Sequence, residues 1–131
     1  MVSNSKEGIG MRYRELIKKV QDYSGFSDTE SEEALQLMVE SVAVHLTEGE
    51  RKGFANQLPT ELQDIALTVL PTDITANEDI IQQFMDLQDI DEGHAKTQIK
   101  AAWQALKQAI SGREIEDIKA QMPGKAVALM Q

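Results

Sequence analysis

The sequence predicts an all-α protein of about eight helices, in which two tandem, pseudo-symmetric helical repeats share one core. Residues 16–67 are echoed without a gap, 64 positions later, by residues 80–131. Apolar residues recur at spacings of three and four, and no segment shows the sustained alternation typical of a strand. A repeat of this kind indicates one packing unit used twice. Because about 60 residues make only a marginal independent core, we expect the two copies to bury apolar surface against each other.

The duplication preserves hydrophobic character far more than it preserves identity. Apolar positions of one copy align with apolar positions of the other, as Leu35 aligns with Ile99 and Val39 with Trp103. The identities are Ile17, Asp22, Glu50, Gln57 and Pro59, which return as Ile81, Asp86, Glu114, Gln121 and Pro123. This pattern favours a conserved architecture over a conserved chemistry.

Capping boxes predict where the helices begin. A hydroxyl residue followed three positions later by Glu occurs at Ser27–Glu30, Thr47–Glu50, Thr75–Glu78 and Ser111–Glu114. At the position equivalent to Ser27 the second copy has Asp91, which can also cap a helix. Pro59 and Pro123 each predict the end of one helix and the start of another, with Pro in its first turn.

These signals divide the chain into a tail and one helical domain. Each repeat reads as a helix of about four turns, a longer one of about five, a short helix and a closing helix. Repeat one covers residues 12–70 and repeat two residues 75–131, within a single domain at 11–131. Residues 70–73 form the predicted linker. Residues 1–10 are polar and aperiodic, so we expect a disordered tail.

Composition excludes several classes of protein. The 131 residues include no cysteine, which excludes disulfides, thiolate catalysis and Cys-based zinc sites. No apolar stretch approaches the roughly 20 residues of a spanning helix, and residues 1–10 do not resemble a signal peptide. We therefore expect a cytoplasmic protein with no membrane partner.

Charge is abundant and unevenly distributed. The net charge is -9, which opposes a general attraction to nucleic acid, and we expect no nucleic-acid partner. Residues 22–50 carry eight acidic side chains and no Lys or Arg, whereas Arg12 and Arg14 belong to a basic cluster near the start. These charges either form ordinary solvated faces or allow a basic end of one molecule to meet an acidic flank of another.

No reactive constellation is evident. The sequence has neither a nucleophile elbow nor a glycine-rich phosphate loop, and its two histidines, His45 and His94, lie near helix ends. A metal site can be imagined from Asp89, Asp91, Glu92 and His94, but acidic residues at a helix start are usually caps. We expect no cofactor and no enzymatic activity.

Two sets of apolar residues are candidates for binding. Leu37 and Val44 are seven positions apart and lie off the main stripe of their helix, which predicts a second apolar face that contacts the other repeat or a second subunit. With Arg12 and Arg14 they form the candidate interface for a protein partner or a homodimer. The alternative is a ligand pocket or active site between the halves, lined by Met38, Phe54 and Trp103.

The sequence also resembles the domain of unknown function 2267 family, bacterial all-helical proteins with two similar halves. The resemblance is carried in the first half by Arg14 to Ile17 with Gly25 and Phe26, by Val44 to Glu50 and by Gln57 to Leu62. In the second half it is carried by Ile110 to Pro123, and it covers about residues 12–131. Its recurring motif joins the turn residues Thr47, Glu50, Gln57 and Pro59 and their equivalents Ser111, Glu114, Gln121 and Pro123. The resemblance implies a fold but no activity, substrate or cofactor.

Overall fold

The computed structural model describes residues 11–68 and 79–131, which form eight α-helices and no strand, as the sequence predicts. The helices are α1 (Tyr13–Ser24), α2 (Asp28–Ala43), α3 (Glu48–Asn56), α4 (Thr60–Thr68), α5 (Ile80–Gln88), α6 (Glu92–Leu106), α7 (Gly112–Gln121) and α8 (Gly124–Leu129). We refer to residues 11–68 as the first half and to residues 79–131 as the second half. The predicted tail, linker and Thr75–Glu78 capping box lie outside the described residues. Pseudo-symmetry of the two repeats stays a prediction.

The predicted hydroxyl and Asp caps form. The Oγ atoms of Ser27 and Ser111 accept the third backbone N–H of their helices at 3.1 Å, and Thr47 Oγ1 does so at 3.3 Å. Asp91 Oδ1 accepts the N–H of His94 at 2.8 Å. Helix α5 begins at Ile80 with Asp79 as its cap. Each cap satisfies an N–H group that the helix itself leaves without a partner.

The two prolines separate helices, but they stand one residue earlier than predicted. Helix α4 begins at Thr60 and α8 at Gly124, so Pro59 and Pro123 precede the first turn rather than lying within it. Both carbonyl groups accept backbone N–H bonds from that turn. Extended backbone at Pro123, with ψ at 152°, explains why the helix starts after the proline.

Three helices from both halves form the centre of the molecule. Helices α1, α2 and α6 contact one another, α4 packs on α2, α5 packs on α6, and α3 packs on α4. Ile99, Trp103 and Leu106 of α6 are fully buried and belong to the same apolar cluster as Leu16 and Leu35. The shared core predicted from the sequence is therefore present at this helix junction.

The indole of Trp103 ties the C-terminal helix to this centre. Trp103 is fully buried, and its Nε1 donates a hydrogen bond to the carbonyl oxygen of Met130 at 2.8 Å. Met130 follows α8 directly and is itself buried. One side chain thus supplies both apolar volume and a specific polar anchor.

A second set of contacts, which we call the clasp, joins α3 and its flanking turn to α7 through residues that recur between the copies. Gln57 Nε2 donates to Glu114 Oε1 at 3.1 Å, and Gln121 Nε2 donates to Glu50 Oε2 at 3.3 Å. Gln57 Oε1 also accepts the backbone N–H of Ser111 at 2.7 Å. The recurring glutamine of each half thus binds the recurring glutamate of the other half.

The clasp changes one predicted capping box. Thr47 N–H donates to Glu50 Oε1 at 2.8 Å, which completes the Thr47–Glu50 box. In the Ser111–Glu114 box, the side chain of Gln57 accepts the backbone N–H of Ser111. Glu114 accepts a hydrogen bond from Gln57 instead of accepting that N–H. Burial, followed by the nearby carboxylate of Asp117, raises the pKa of Glu114, with a smaller contribution from Glu50.

Replacing Trp103 with Phe should separate its two roles. Trp103→Phe keeps most of the buried apolar surface but leaves the Met130 carbonyl without its donor, so the free energy of unfolding should fall by about 1–3 kcal/mol. Trp103→Ala should lose about 3–5 kcal/mol. Urea unfolding measures both values, and amide exchange should show faster opening of α8 in Trp103→Phe. Unchanged exchange in α8 would contradict the anchoring role.

Glu114 and Glu50, although equivalent in sequence, should respond oppositely to neutralisation. Because the pKa of Glu114 is raised in the folded state, wild-type stability falls as pH rises from the ordinary glutamate pKa through the raised one. Glu114→Gln should therefore be stabilising at neutral pH, with a smaller gain near pH 4. Glu50→Gln weakens a complete capping box and should cost about 0.3–1 kcal/mol.

Urea unfolding of both variants at the two pH values checks this contrast. A Glu114→Gln variant that is destabilised at neutral pH would show that its carboxylate is a net stabilising group.

Candidate functional site

The three residues predicted to line a pocket between the halves lie inside the core. Met38, Phe54 and Trp103 each have no exposed surface, and none lines the clefts described below. A pocket lined by these three residues stays a prediction. Met38 lies on α2 and Trp103 on α6, two helices that pack directly against each other, whereas Phe54 lies on α3, which packs on α4.

The two apolar residues of the predicted interface have different environments. Val44 is 2 % exposed, so it packs within the molecule. Leu37 is only half-buried and borders an open cleft. The second apolar face of α2 is therefore buried within the molecule at its Val44 end and accessible at Leu37.

Arg12 and Arg14 lie on a different surface from Leu37. Both line a smaller cleft with Tyr13 and Glu61, at the start of α1 and α4. Arg14 pairs with Asp28 at 2.9 Å, but both side chains are more than half exposed, so the pair contributes little stability. The residues predicted to form one interface are thus divided between two surfaces.

The open cleft beside Leu37 is the candidate site, and we call it the Leu87 groove. Its volume is about 630 Å³. Leu37 of α2 and Ile65 of α4 contribute from the first half, while Leu87 and Gln88 of α5 contribute from the second. Its lining is completed by Glu33, Gln36 and Glu40 of α2. The groove is therefore built where the two halves meet.

Leu87 makes this groove unusual for a protein surface. Its side chain is 62 % exposed, the highest value among the large apolar residues that are exposed in the described part of the chain. Ile65 and Leu37, both half-buried, line the same cleft. Single exposed apolar residues are common, but three converging in one groove favour a binding surface.

The groove has an acidic border. Glu33 and Glu40 flank Leu37 on α2 at spacings of four and three residues, which places all three on one side of the helix. No Lys or Arg is among the described residues that line the groove. A ligand that fits it should combine apolar surface with positive charge.

Hydrogen bonds hold one polar wall of the groove. Gln36 Nε2 donates to the hydroxyl oxygen of Tyr13 at 2.6 Å, and that hydroxyl donates to Glu32 Oε2 at 2.6 Å. Burial of the phenol, followed by its bond to the Glu32 carboxylate, raises the pKa of Tyr13 to about 12. The amide of Gln36 is therefore positioned before any ligand binds.

A longer polar chain holds the opposite wall. Gln88 Nε2 donates to Gln98 Oε1 at 2.6 Å, and Gln98 Nε2 donates to Glu30 Oε2 at 2.9 Å. Glu30 also pairs with the ring of His94, which stacks on Phe26. Gln98 is fully buried, so its hydrogen bonds link the groove to the contact between α2 and α6. Both glutamines of the groove are thus preorganised.

The positions 64 residues away do not reproduce the groove. Glu33, Leu37, Glu40 and Leu87 correspond to Thr97, Ala101, Gln104 and Tyr23. The acidic side chains are lost, and the accessible Leu37 is replaced by an alanine that is 3 % exposed. The combination of exposed apolar and acidic groups therefore belongs to one of these two surfaces.

A further cleft of about 530 Å³ is lined by lysines that already have acidic partners. Lys96 pairs with Glu92 at 2.9 Å, and Lys125 pairs with Asp79 at 3.4 Å. Although burial raises the pKa of Asp79, its bonds to the N–H of Gln82 and to Lys125 lower it overall. This arrangement offers a ligand less unpaired charge than the Leu87 groove.

The start of α6 does not assemble the imagined metal site. Asp91 caps the helix, Glu92 pairs with Lys96, and His94 contacts Glu30. Within residues 11–68 and 79–131, no group of three His, Asp or Glu side chains is placed to hold a metal ion. His45 Nδ1 lies 2.8 Å from the carbonyl oxygen of Ser41, within its own helical segment.

The raised pKa of Tyr13 can be measured directly, because the chain has only two tyrosines. In Tyr23→Phe, the phenol absorbance should titrate with a midpoint of about 12 in the folded protein. In the unfolded chain the midpoint should be about 10. The stabilisation from this phenol is complete below the unfolded pKa and is lost as pH rises through the folded one.

A Glu32→Gln change in the same background should bring the folded midpoint closer to 10. Circular dichroism must show that the protein is still folded through the titration. A folded midpoint near 10 without the Glu32 change would contradict the Tyr13–Glu32 contact.

Comparison with known proteins identifies a family but supplies no activity. None of the described helices is long and apolar enough to cross a membrane. A search of curated proteins found no match. The model of one family, described as uncharacterized conserved protein (DUF2267), matches residues 13–129, which is nearly the whole chain. The chain therefore belongs to the DUF2267 family, as its sequence motifs and all-helical fold indicate.

Proposed function

We propose that this protein is a non-enzymatic helical interaction module, which binds an apolar helical segment of a partner protein in the Leu87 groove. The observation that carries the proposal is the exposed Leu87, which converges with Leu37 and Ile65 in an open groove between the halves. We further propose that it acts in the bacterial cytoplasm, which its cysteine-free composition supports.

A helix is the occupant that the lining supports best. The groove is bordered by side chains of α2, α4 and α5, so an incoming helix can pack against several helices. Helix-in-groove recognition uses a few apolar anchors spaced at three or four residues. The two preorganised glutamines, Gln36 and Gln88, can then contact polar groups at the edge of the bound segment.

A partner protein fits the groove better than a second copy does. In a symmetric dimer the same patch would meet itself, which would bring Glu33 and Glu40 close to their own copies. Repulsion between these carboxylates opposes such a contact, and the net charge of -9 adds to it. A homodimer is therefore an outcome that the test must detect rather than the preferred arrangement.

A matched pair of variants tests this proposal. Leu87→Asp places a charge in the groove, whereas Tyr23→Asp places one at the corresponding position of the other half, where the side chain is 48 % exposed. Helical peptides selected from a displayed random library against the wild-type protein should bind Tyr23→Asp with similar affinity. They should bind Leu87→Asp at least about tenfold more weakly, because a buried apolar anchor is lost.

Urea unfolding serves as the control for folding, since both substitutions are at exposed positions and should be nearly neutral in stability. Light scattering over a concentration series tests the second copy. Peptides that bind both variants equally would overturn the groove as the binding site. Dimerisation that Leu87→Asp abolishes would replace the partner protein with a second copy.

A further inference from the structure

We infer that the Leu87 groove selects a basic amphipathic helix, with two positive side chains about two turns apart on either side of an apolar anchor. This inference rests on the proposed function and adds the chemistry of the partner. It follows from how α2 uses its acidic residues. Three of them have partners elsewhere in the molecule, and the two that line the groove have none among the described residues.

Three acidic residues of α2 are engaged within the chain. Asp28 pairs with Arg14 at 2.9 Å, Glu30 contacts His94 and Gln98, and Glu32 accepts the hydroxyl of Tyr13. These contacts account for the acidic residues in the first turns of the helix. They have structural roles, since they connect α2 to α1 and α6.

Glu33 and Glu40 are the remaining acidic residues of α2, and both line the groove. Neither makes a side-chain hydrogen bond or ion pair with any residue in the described ranges, 11–68 and 79–131. Among the described residues of the lining, no Lys or Arg is present to neutralise them. Two carboxylates beside apolar surface, without a cation, form an electrostatic complement to a basic ligand.

The spacing of the two carboxylates sets the pattern of the ligand. Residues seven apart on a helix lie on the same side, separated by about 10.5 Å along the axis. Leu37 lies between them, four residues after Glu33 and three before Glu40. A partner helix lying along α2 can match this pattern with basic residues seven apart and apolar residues three and four positions after the first.

The equivalent positions of the second half explain why this pattern is selective. Its corresponding residues are Thr97, Ala101 and Gln104, which provide neither the two carboxylates nor a half-buried leucine. Lys100 stands at the position equivalent to Gln36. A basic helix is therefore complementary to the groove, whereas the equivalent positions of the second half would be neutral or repulsive to it.

Synthetic peptides test the inference directly. The probe is a helical peptide of about 18 residues with Lys at two positions seven apart and Leu at the third and fourth positions after the first Lys. Matched peptides carry Gln or Glu in place of both Lys. Fluorescence anisotropy should rank the Lys peptide first, with the Gln peptide about tenfold weaker and the Glu peptide weaker still.

Protein variants separate the charge term from the apolar one. Glu33→Gln with Glu40→Gln should weaken the Lys peptide about tenfold at low salt and flatten its salt dependence between about 50 mM and 500 mM. A control with the same change in net charge is Asp22→Asn with Glu116→Gln, both at exposed positions outside the groove. That control should change the affinity by less than about twofold, because distant exposed charges are screened.

The outcomes distinguish this inference from the function on which it rests. If Leu87→Asp abolishes binding but the Glu33 and Glu40 changes have no effect, the basic ligand is overturned and the groove is retained. Equal binding of the Lys and Glu peptides would likewise overturn the basic ligand while retaining the groove. If none of these variants alters binding of a peptide, both the groove and its ligand chemistry are overturned.

Discussion

The packing of α6 against α1 and α2 is the constraint on which the rest of the structure depends. Burial on this scale at a three-helix junction requires close approach, and α6 provides it with Ala95, Ala102 and Ala105, which are all fully buried. The larger Ile99 and Trp103 fill the space on either side. Apolar surface of the first half is therefore covered by the second half, so the two cannot separate without exposing the core.

Polar groups reinforce the same junction, using residues that local rules would assign to helix caps. The carboxylate of Glu30 contacts His94 and Gln98 in the second half instead of completing the box begun by Ser27. Glu114 likewise binds Gln57. Part-buried hydrogen bonds across the junction add specificity to apolar packing, because an unmatched polar group there would lose its partner. The glutamate at the third helical position of each of these boxes thus forms contacts between the halves.

The sequence predicted what depends on near neighbours and missed what depends on distant ones. Hydroxyl caps such as Thr47 were predictable because the capping hydrogen bond spans three residues. The partners of Glu30 and Glu114 lie more than fifty residues away, and no local pattern indicates them. The apolar character of Trp103 predicts burial but cannot separate a core from a pocket. Leu87 was missed because its exposure depends on how α5 lies beside α2 and α4.

The proposed binding surface lies where the two sequence repeats cease to match. Residues that recur unchanged, such as Gln57 and Glu50, belong to the clasp, where their side chains form hydrogen bonds within the chain. The Leu87 groove instead has acidic residues whose equivalents are uncharged, and a leucine, Leu37, whose equivalent is a buried alanine. Surface positions can differ between the two sequence repeats without disturbing the helix junction, because the junction depends on buried residues. The proposed recognition surface can therefore occupy one side of the molecule without altering the packing at the junction.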